Sequence, residues 1–191
     1  MATLKEHELL RKTIRDFVER EMKDYPDEVD KTGKLPEEVI AKLAKYKFLT
    51  PIVPKEYGGG GADYMSYAII MEEISRRCAS TGTYITATTS LVALPIVNFG
   101  TEEQKEKYLK PLCSNEYVGC FGLTEPGAGS DAGAGQTIAV EDGDSYILNG
   151  RKTFITNGPI CDFAIISAMT DKSKRTKGTT TYIVELKWEG I

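Results

Sequence analysis

At 191 residues the chain is long enough for one or two hydrophobic cores, and 41% hydrophobic with 27% charged residues gives no sign of disorder. A formal charge of −4, from 24 basic and 28 acidic residues without a dense basic stripe, excludes nucleic acid as the main partner. The expected partner is a small molecule or another protein. The one compact basic cluster, Lys172, Lys174, Arg175 and Lys177, reads as a solvated loop. Cys78, Cys113, Cys120 and Cys161 fit neither Cys-x-x-Cys nor a zinc spacing. They read as reduced thiols of a cytoplasmic protein, a pattern that a mature mitochondrial matrix protein would share. The opening MATLKEHELLRK has no apolar secretory core, and no run approaches the roughly 18 apolar residues of a membrane span.

From Leu4 to Met22, apolar residues at Leu10, Ile14, Phe17 and Val18 predict an amphipathic helix with charges opposite. His7, the only histidine, has no neighbouring ligand or nucleophile, so no catalytic role is expected of it. Tyr25, Pro26 and Asp27 read as the end of that helix. Leu35-Pro36-Glu37-Glu38 opens a second, with Pro36 in its first turn and Val39, Ile40, Leu43 and Phe48 as its buried stripe. Two prolines and four consecutive glycines make Thr50 to Gly61 a loop. Asp63 caps a third helix with Ile70, Ile74 and Cys78 on its apolar side and Ala68, Met71, Glu72 and Ser75 on another. A fourth, rich in threonine, is expected to run unbroken from Ser80 to Phe99, with Tyr84, Ala87, Thr88 and Leu91 on one face of mixed polarity. From spacing alone that face is interhelical packing or the wall of a pocket. Thr101 and Gln104 form a capping box for a fifth helix to about Leu112.

After Glu116 the pattern turns β-like: Val118 to Leu123, Thr137 to Val140, Tyr146 to Leu148, Thr153 to Ile155, Phe163 to Met169 and Thr180 to Leu186. Turns are marked by Asp142-Gly143-Asp144, Asn149-Gly150 and Asn157-Gly158. The expected fold class is therefore α+β, an all-helical part at residues 1–115 followed by an antiparallel β part at 116–191. The chain stops at Ile191 directly after a strand-like run, so it is expected to be a piece of a longer protein, the β part incomplete.

Within the β part, CFGLTEPGAGSD, Cys120 to Asp131, stands out. After Pro126, Gly127, Gly129 and Gly133 alternate with small residues, so backbone N–H groups there can approach a phosphate or a flat ring, and the glycines would permit positive φ. It is no Walker loop, since no Gly-Lys-Ser/Thr follows, and no dinucleotide fingerprint, since a strand follows rather than a helix. A plain turn between strands would have the same composition.

Together with GTEEQKEKYLKPL, Gly100 to Leu112, and DGDSYILNGRKTFITNG, Asp142 to Gly158, this loop makes the whole chain resemble the acyl-CoA dehydrogenase family. Leu4 to Cys113 is similar to the family's N-terminal helical domain and Glu116 to Ile191 to most of its central β domain. The resemblance implies FAD as cofactor, with Phe121, Leu123 and Thr124 beside the flavin, Thr124 on its pyrimidine part, and Gly129 and Ser130 continuing the site. Ser130 is also where relatives contact pyrophosphate or the CoA arm. Phe154 stands where the family commonly has tryptophan, with Ile155 beside it and Thr156 at flavin N5. The resemblance moves Tyr84, Ala87, Thr88 and Leu91 to candidate contacts of the acyl chain, and a tyrosine at the deep end suggests a short or branched acyl group. It implies α,β-desaturation of an acyl-CoA to the trans-2-enoyl-CoA, electron-transfer flavoprotein as acceptor, a homotetramer, and no metal.

The family's catalytic base is a glutamate of a C-terminal helical domain that matches nothing in these 191 residues, so no catalytic residue is expected in this chain. The resemblance gives Glu125 a structural place beside the loop rather than the role of the base. The chain alone is expected to be inactive. An acyl-CoA oxidase or nitroalkane oxidase relative, and a non-catalytic interaction module, remain as alternative readings.

Overall fold

The structure is a computed structural model that describes residues 4–188 and 190–191. It divides into two compact units, one up to Tyr117 and the other Val118–Ile191.

The first unit is helical. Helix α1 (Leu4–Glu21) buries Ile14, Phe17 and Val18, as the spacing predicts, while Leu10 is only half-buried. α1 packs along α4 (Tyr64–Arg77) through Glu73, a residue the sequence did not mark. Glu73 is 1% exposed and accepts from Arg11 (2.8 Å) and Arg15 (2.7 and 2.9 Å). A lone carboxylate at that depth would be costly, so the two arginines on α1 fix the register of the pair. Asp63 caps α4 as expected, accepting from the backbone N–H of Ser66 at 2.7 Å.

Tyr25-Pro26-Asp27 does not merely end α1. It opens a short α2 (Tyr25–Thr32), because a proline in the first turn forfeits no intrahelical bond. In α3 (Glu37–Lys45) Pro36 is the cap residue rather than the first helical one. The 50–61 segment is a loop with one 3-10 turn at Lys55–Tyr57.

The predicted fourth helix is three pieces: α5 (Ala79–Thr86), a π-helical segment Ala87–Ala93, and α6 (Leu94–Phe99). Pro95 gives the physical reason. Its ring lacks an N–H and crowds the carbonyl four residues back, and a widened turn relieves both. Finally α7 (Glu102–Ser114) starts with both bonds of the Thr101–Gln104 capping box and ends at Asn115 in the left-handed region.

The second unit is one five-stranded sheet of β1 (Gly119–Gly122), β2 (Ile138–Asp142), β3 (Ser145–Asn149), β4 (Phe163–Met169) and β5 (Thr179–Glu185). The helical-then-sheet order holds, but the sheet is mixed rather than wholly antiparallel. β2–β3 and β4–β5 are antiparallel, whereas β1 and β2 both run parallel to β4. β2 and β3 are joined by the tight turn Gly143-Asp144 and β4 and β5 by the 170–178 loop; β1 reaches β4 through a much longer excursion, which allows a parallel partner.

β5 occupies one edge of β4 along its full length. On the other edge β1 covers Phe163 to Ile166 and β2 joins at Met169. Residues 123–137 therefore leave and rejoin the same edge of one strand. The expected strand Thr153 to Ile155 is not formed. Thr153 N–H is taken by Thr124 O at 2.9 Å, and Phe154 has φ +56°, which no strand accommodates. Of the basic cluster, the side chains of Lys172 and Arg175 lie outside the described residues; Lys174 is exposed and paired with Asp171 at 3.1 Å.

Candidate functional site

In the β unit, the excursion between β1 and β2 is held shut by one side chain. Glu125, 6% exposed, accepts from the backbone N–H groups of Gln136 and Thr137 (3.0 Å to the latter) and pairs with Lys152 Nζ at 2.8 Å. Lys152 also donates to Leu123 O at 3.2 Å. Burial alone would raise the Glu125 pKa, but Lys152 and the two backbone donors outweigh it and hold the carboxyl at about 2. Such a group is a fixed anion with its lone pairs engaged and is unsuited to collecting protons near neutrality. Glu125 is thus a strut, in the place the resemblance implies.

At the tip, Glu125 and Ala128 exchange backbone hydrogen bonds of 3.0 and 3.1 Å in a tight four-residue turn. Gly127, Gly129 and Gly133 are not among the residues with positive φ, so left-handed freedom is not what these glycines supply. At Gly127 and Gly129 a Cβ would meet nothing within 4 Å, so the backbone there is open to approach from outside. Gly150 differs. Its hypothetical Cβ would lie 2.2 Å from Thr137 Oγ1 and 2.6 Å from Thr137 Cα, so glycine lets the segment after β3 pass directly against the end of the loop.

That second segment, 151–158, is joined to the loop by Thr153 N–H to Thr124 O and by Lys152 to both Glu125 and Leu123 O, and to β1 by Asn157 Nδ2 to Gly119 O at 3.3 Å. Two stretches that the sequence separates are one structure. Phe121 and Thr124 are half-buried, Leu123 is 37% exposed, and Gly129 and Ser130 are exposed. Ile155 is half-buried, Thr156 exposed, and Phe154 is 92% exposed with its backbone in the left-handed region. A large ring held in solvent by a strained backbone costs the fold on two counts. Such strain is expected where a ligand makes use of the ring. The open glycine backbone of the loop and the projecting aromatic are compatible with a planar ring system with a phosphate-bearing arm, such as FAD. Phe121, Leu123, Thr124, Gly129, Ser130, Phe154, Ile155 and Thr156 are the candidates to hold it. Lys152 is a supporting residue that the sequence had not singled out; it lies inside a quoted motif but carries no pattern of its own.

The helical unit holds the other candidates, and there the expected single face fails. Tyr84, Ala87 and Thr88 are 5%, 3% and 2% exposed, whereas Leu91 is 41% exposed. Spacing by three, four and seven residues places side chains together only at 3.6 residues per turn, and the π-helical segment beginning at Ala87 breaks that phase. Tyr84 donates from its hydroxyl to Asn115 Oδ1 at 2.8 Å. Thr88 Oγ1 is buried without a hydrogen-bond partner among the described residues. Thr89 next to it donates to Leu49 O at 2.7 Å. An unsatisfied buried hydroxyl inside a π-helical turn marks a place where a polar ligand atom would be stabilised. No group of three or more metal-binding side chains occurs among the described residues.

Residues 4–116 match the acyl-CoA dehydrogenase N-terminal domain and residues 120–191 the acyl-CoA dehydrogenase middle domain. The chain is 55% identical over 186 residues to a 3-(aryl)acrylate reductase of Clostridium sporogenes, covering 97% of this chain and 49% of that protein. It is 49% identical to the caffeyl-CoA reductase-Etf complex subunit CarC of Acetobacterium woodii, over 97% of this chain and 49% of the relative. Among solved structures, the butyryl-CoA dehydrogenase of Megasphaera elsdenii superposes with a TM-score of 0.89 at 41% identity, covering 100% of this chain and 51% of that one. The chain thus spans about half the length of the relatives it matches.

Proposed function

The chain belongs to the acyl-CoA dehydrogenase family, and from that premise we propose that it supplies the helical domain, residues 1–115, and the central β domain, 116–191, of a flavin-dependent acyl-CoA dehydrogenase. The observation that carries the reading is the joined pair of segments 121–130 and 151–157, which presents Phe154 beside a loop of open backbone. FAD held by these residues would supply a two-electron acceptor, the chemistry that α,β-desaturation of an acyl-CoA thioester to the trans-2-enoyl-CoA requires. The chain's own residues bind, orient and exclude water. Thr124 offers a hydroxyl to the pyrimidine part of the ring, where negative charge accumulates on reduction. Phe154 covers a face, Ser130 offers a hydroxyl to the pyrophosphate or the CoA arm, and Glu125 with Lys152 keeps the loop in place. None of these residues takes the α-proton, so this chain by itself is inactive.

For the substrate we propose a short or branched acyl group. Tyr84 and Thr88 are its candidate contacts in the helical unit, Thr88 through its unpartnered hydroxyl; Ala87 and Leu91 remain candidates on their positions alone. The Clostridium sporogenes relative is named for an arylacrylate, so aryl thioesters belong in the test panel. The Acetobacterium woodii relative is named as part of an Etf complex, which supports electron-transfer flavoprotein as the electron acceptor, and a homotetramer is proposed from the family.

The test is anaerobic titration of the protein, purified in the full length of its reading frame, with butyryl-, isovaleryl-, octanoyl- and arylpropionyl-CoA. Bleaching of the flavin band by the short or branched thioesters supports the reading. Bleaching by octanoyl-CoA alone refutes the chain-length assignment, and a flavin that no thioester bleaches refutes the activity. Dye reduction by residues 1–191 alone would refute the proposed inactivity of this chain.

A further inference from the structure

Outside the residues assigned to the flavin or the substrate, the β unit holds an unexplained pair of nucleophiles. Cys120 in β1 and Cys161 in the loop before β4 are 41 positions apart in sequence, and their Sγ atoms lie 3.2 Å apart. Both are free thiols. They differ in access: Cys120 is 4% exposed, whereas Cys161 is half-buried and its Sγ also lies 3.3 Å from Gly158 O. Cys78 and Cys113 are buried, and burial pushes the Cys113 thiol up. Cys161 is therefore the one partly exposed thiol of the four, and it stands directly against a second sulfur. The contact with Cys120 lowers the Cys161 pKa and raises that of Cys120, the asymmetry of an attacking and a resolving thiol.

We propose that Cys120 and Cys161 form a dithiol site for two-electron thiol oxidants, a hydroperoxide or a small-molecule disulfide, and that reaction there closes a Cys120–Cys161 disulfide. With hydrogen peroxide, Cys161 sulfur attacks one oxygen, the O–O bond breaks and one water leaves, giving the Cys161 sulfenic acid. Cys120 sulfur then attacks Cys161 Sγ, the S–O bond breaks, and the second water leaves with the thiol proton. In total two thiols are oxidised, one peroxide is reduced and two waters form. With a small disulfide, Cys161 first forms a mixed disulfide and releases one thiol, and Cys120 displaces the other. The sulfurs must approach from 3.2 Å to about 2.05 Å, a movement of roughly 1 Å that small side-chain rotations supply.

The bond would tie β1, one residue before Phe121, to the loop that follows Asn157. Asn157 already donates to Gly119 O at 3.3 Å, so the bond would stiffen an existing junction rather than force a new one. The chemistry needs neither FAD nor substrate, and its failure would leave the flavin reading standing.

The experiment is a thiol count on the denatured full chain, before and after one equivalent of hydrogen peroxide or oxidised glutathione, with peptide mapping of the product. Residues 1–191 hold four cysteines; two of these thiols are expected to be lost, with a single intramolecular cross-link between the peptides holding Cys120 and Cys161, reversed by dithiothreitol. Cys161→Ser should abolish the loss. Cys120→Ser should leave a Cys161 sulfenic acid that dimedone traps after peroxide, or a glutathione adduct after the disulfide. Should Cys120→Ser fail to fold, the map of the unsubstituted chain decides alone. No loss of thiol at Cys120 and Cys161, or cross-links that join other cysteines or separate molecules, overturn the proposal.

Discussion

Replacing Glu125 by glutamine should open the loop between β1 and β2 without touching any group assigned to the flavin. Glutamine keeps the shape and one acceptor oxygen but sets an NH2 group where Lys152 Nζ (2.8 Å) or the backbone donors of Gln136 and Thr137 now point. Removing one partner of a buried ion pair costs about 3–5 kcal/mol because the other charge stays buried. Lys152 is 11% exposed, so that cost applies, but its second bond to Leu123 O at 3.2 Å shelters part of the charge. We therefore expect a loss of about 2–3 kcal/mol. For a unit of this size that lowers Tm by roughly 10–20 °C. Trp188, the single tryptophan, lies in the β unit and reports its unfolding.

The double variant Glu125→Gln with Lys152→Met, which removes the stranded charge too, should recover more than half of the loss. The pH dependence has a definite sign. The folded-state pKa is depressed from 4.5 to about 2, so the contribution of Glu125 is present in full above about pH 4.5 and fades as pH falls toward 2. Glu125→Gln should lack that component of the acid transition. An unchanged denaturation midpoint, or a double variant no better than the single, would refute the strut.

Glu73 makes the corresponding prediction for the helical unit. The Arg15 hydrogen bonds, followed by those of Arg11, hold its pKa at about 2 against burial, but Arg11 and Arg15 are 36% and 52% exposed and water takes up their charge, so Glu73→Gln should cost about 1–2 kcal/mol near neutrality and less below pH 4, read by far-UV circular dichroism during denaturation. Gly150→Ala must displace the Thr137 backbone, whose Cα would lie 2.6 Å from the new Cβ, and should destabilise the β unit by about 1–3 kcal/mol in the Trp188 assay. Phe154→Gly should do the reverse, stabilising the flavin-free chain by about 1 kcal/mol by relieving the φ of +56° while weakening FAD binding by about tenfold or more in a fluorescence titration. Equal or tighter FAD binding would remove Phe154 from the site.

The parts of the fold that were legible have local causes. The Thr101–Gln104 capping box and the Asp63 cap are satisfied within four residues of sequence, β4 is a largely apolar run and β5 is rich in β-branched residues. What was illegible depends on contacts made elsewhere. Thr153 to Ile155 has strand composition, but the Thr124 carbonyl takes its N–H and Phe154 turns into the left-handed region. Parallel pairing of β1 and β2 with β4 follows from an excursion whose closure rests on Glu125 and Lys152, and no spacing rule joins those two. Glu73 reads as one more surface acid of α4 until Arg11 and Arg15 are placed against it. Pro95 was visible, and its widening of the preceding turn is the signal that would have split the long threonine-rich helix and separated Leu91 from Tyr84 and Thr88. The two motifs were legible as candidates through the resemblance; the bonds that join them, Thr153 N–H to Thr124 O and Lys152 to Glu125, were not.

Hydrogen exchange with and without FAD, on the protein purified in the full length of its reading frame, tests the central claim most directly. If segments 121–130 and 151–157 form one flavin-binding wall, FAD should slow exchange in 124–137 and 151–158 together. FAD that binds while protecting neither segment would contradict the account.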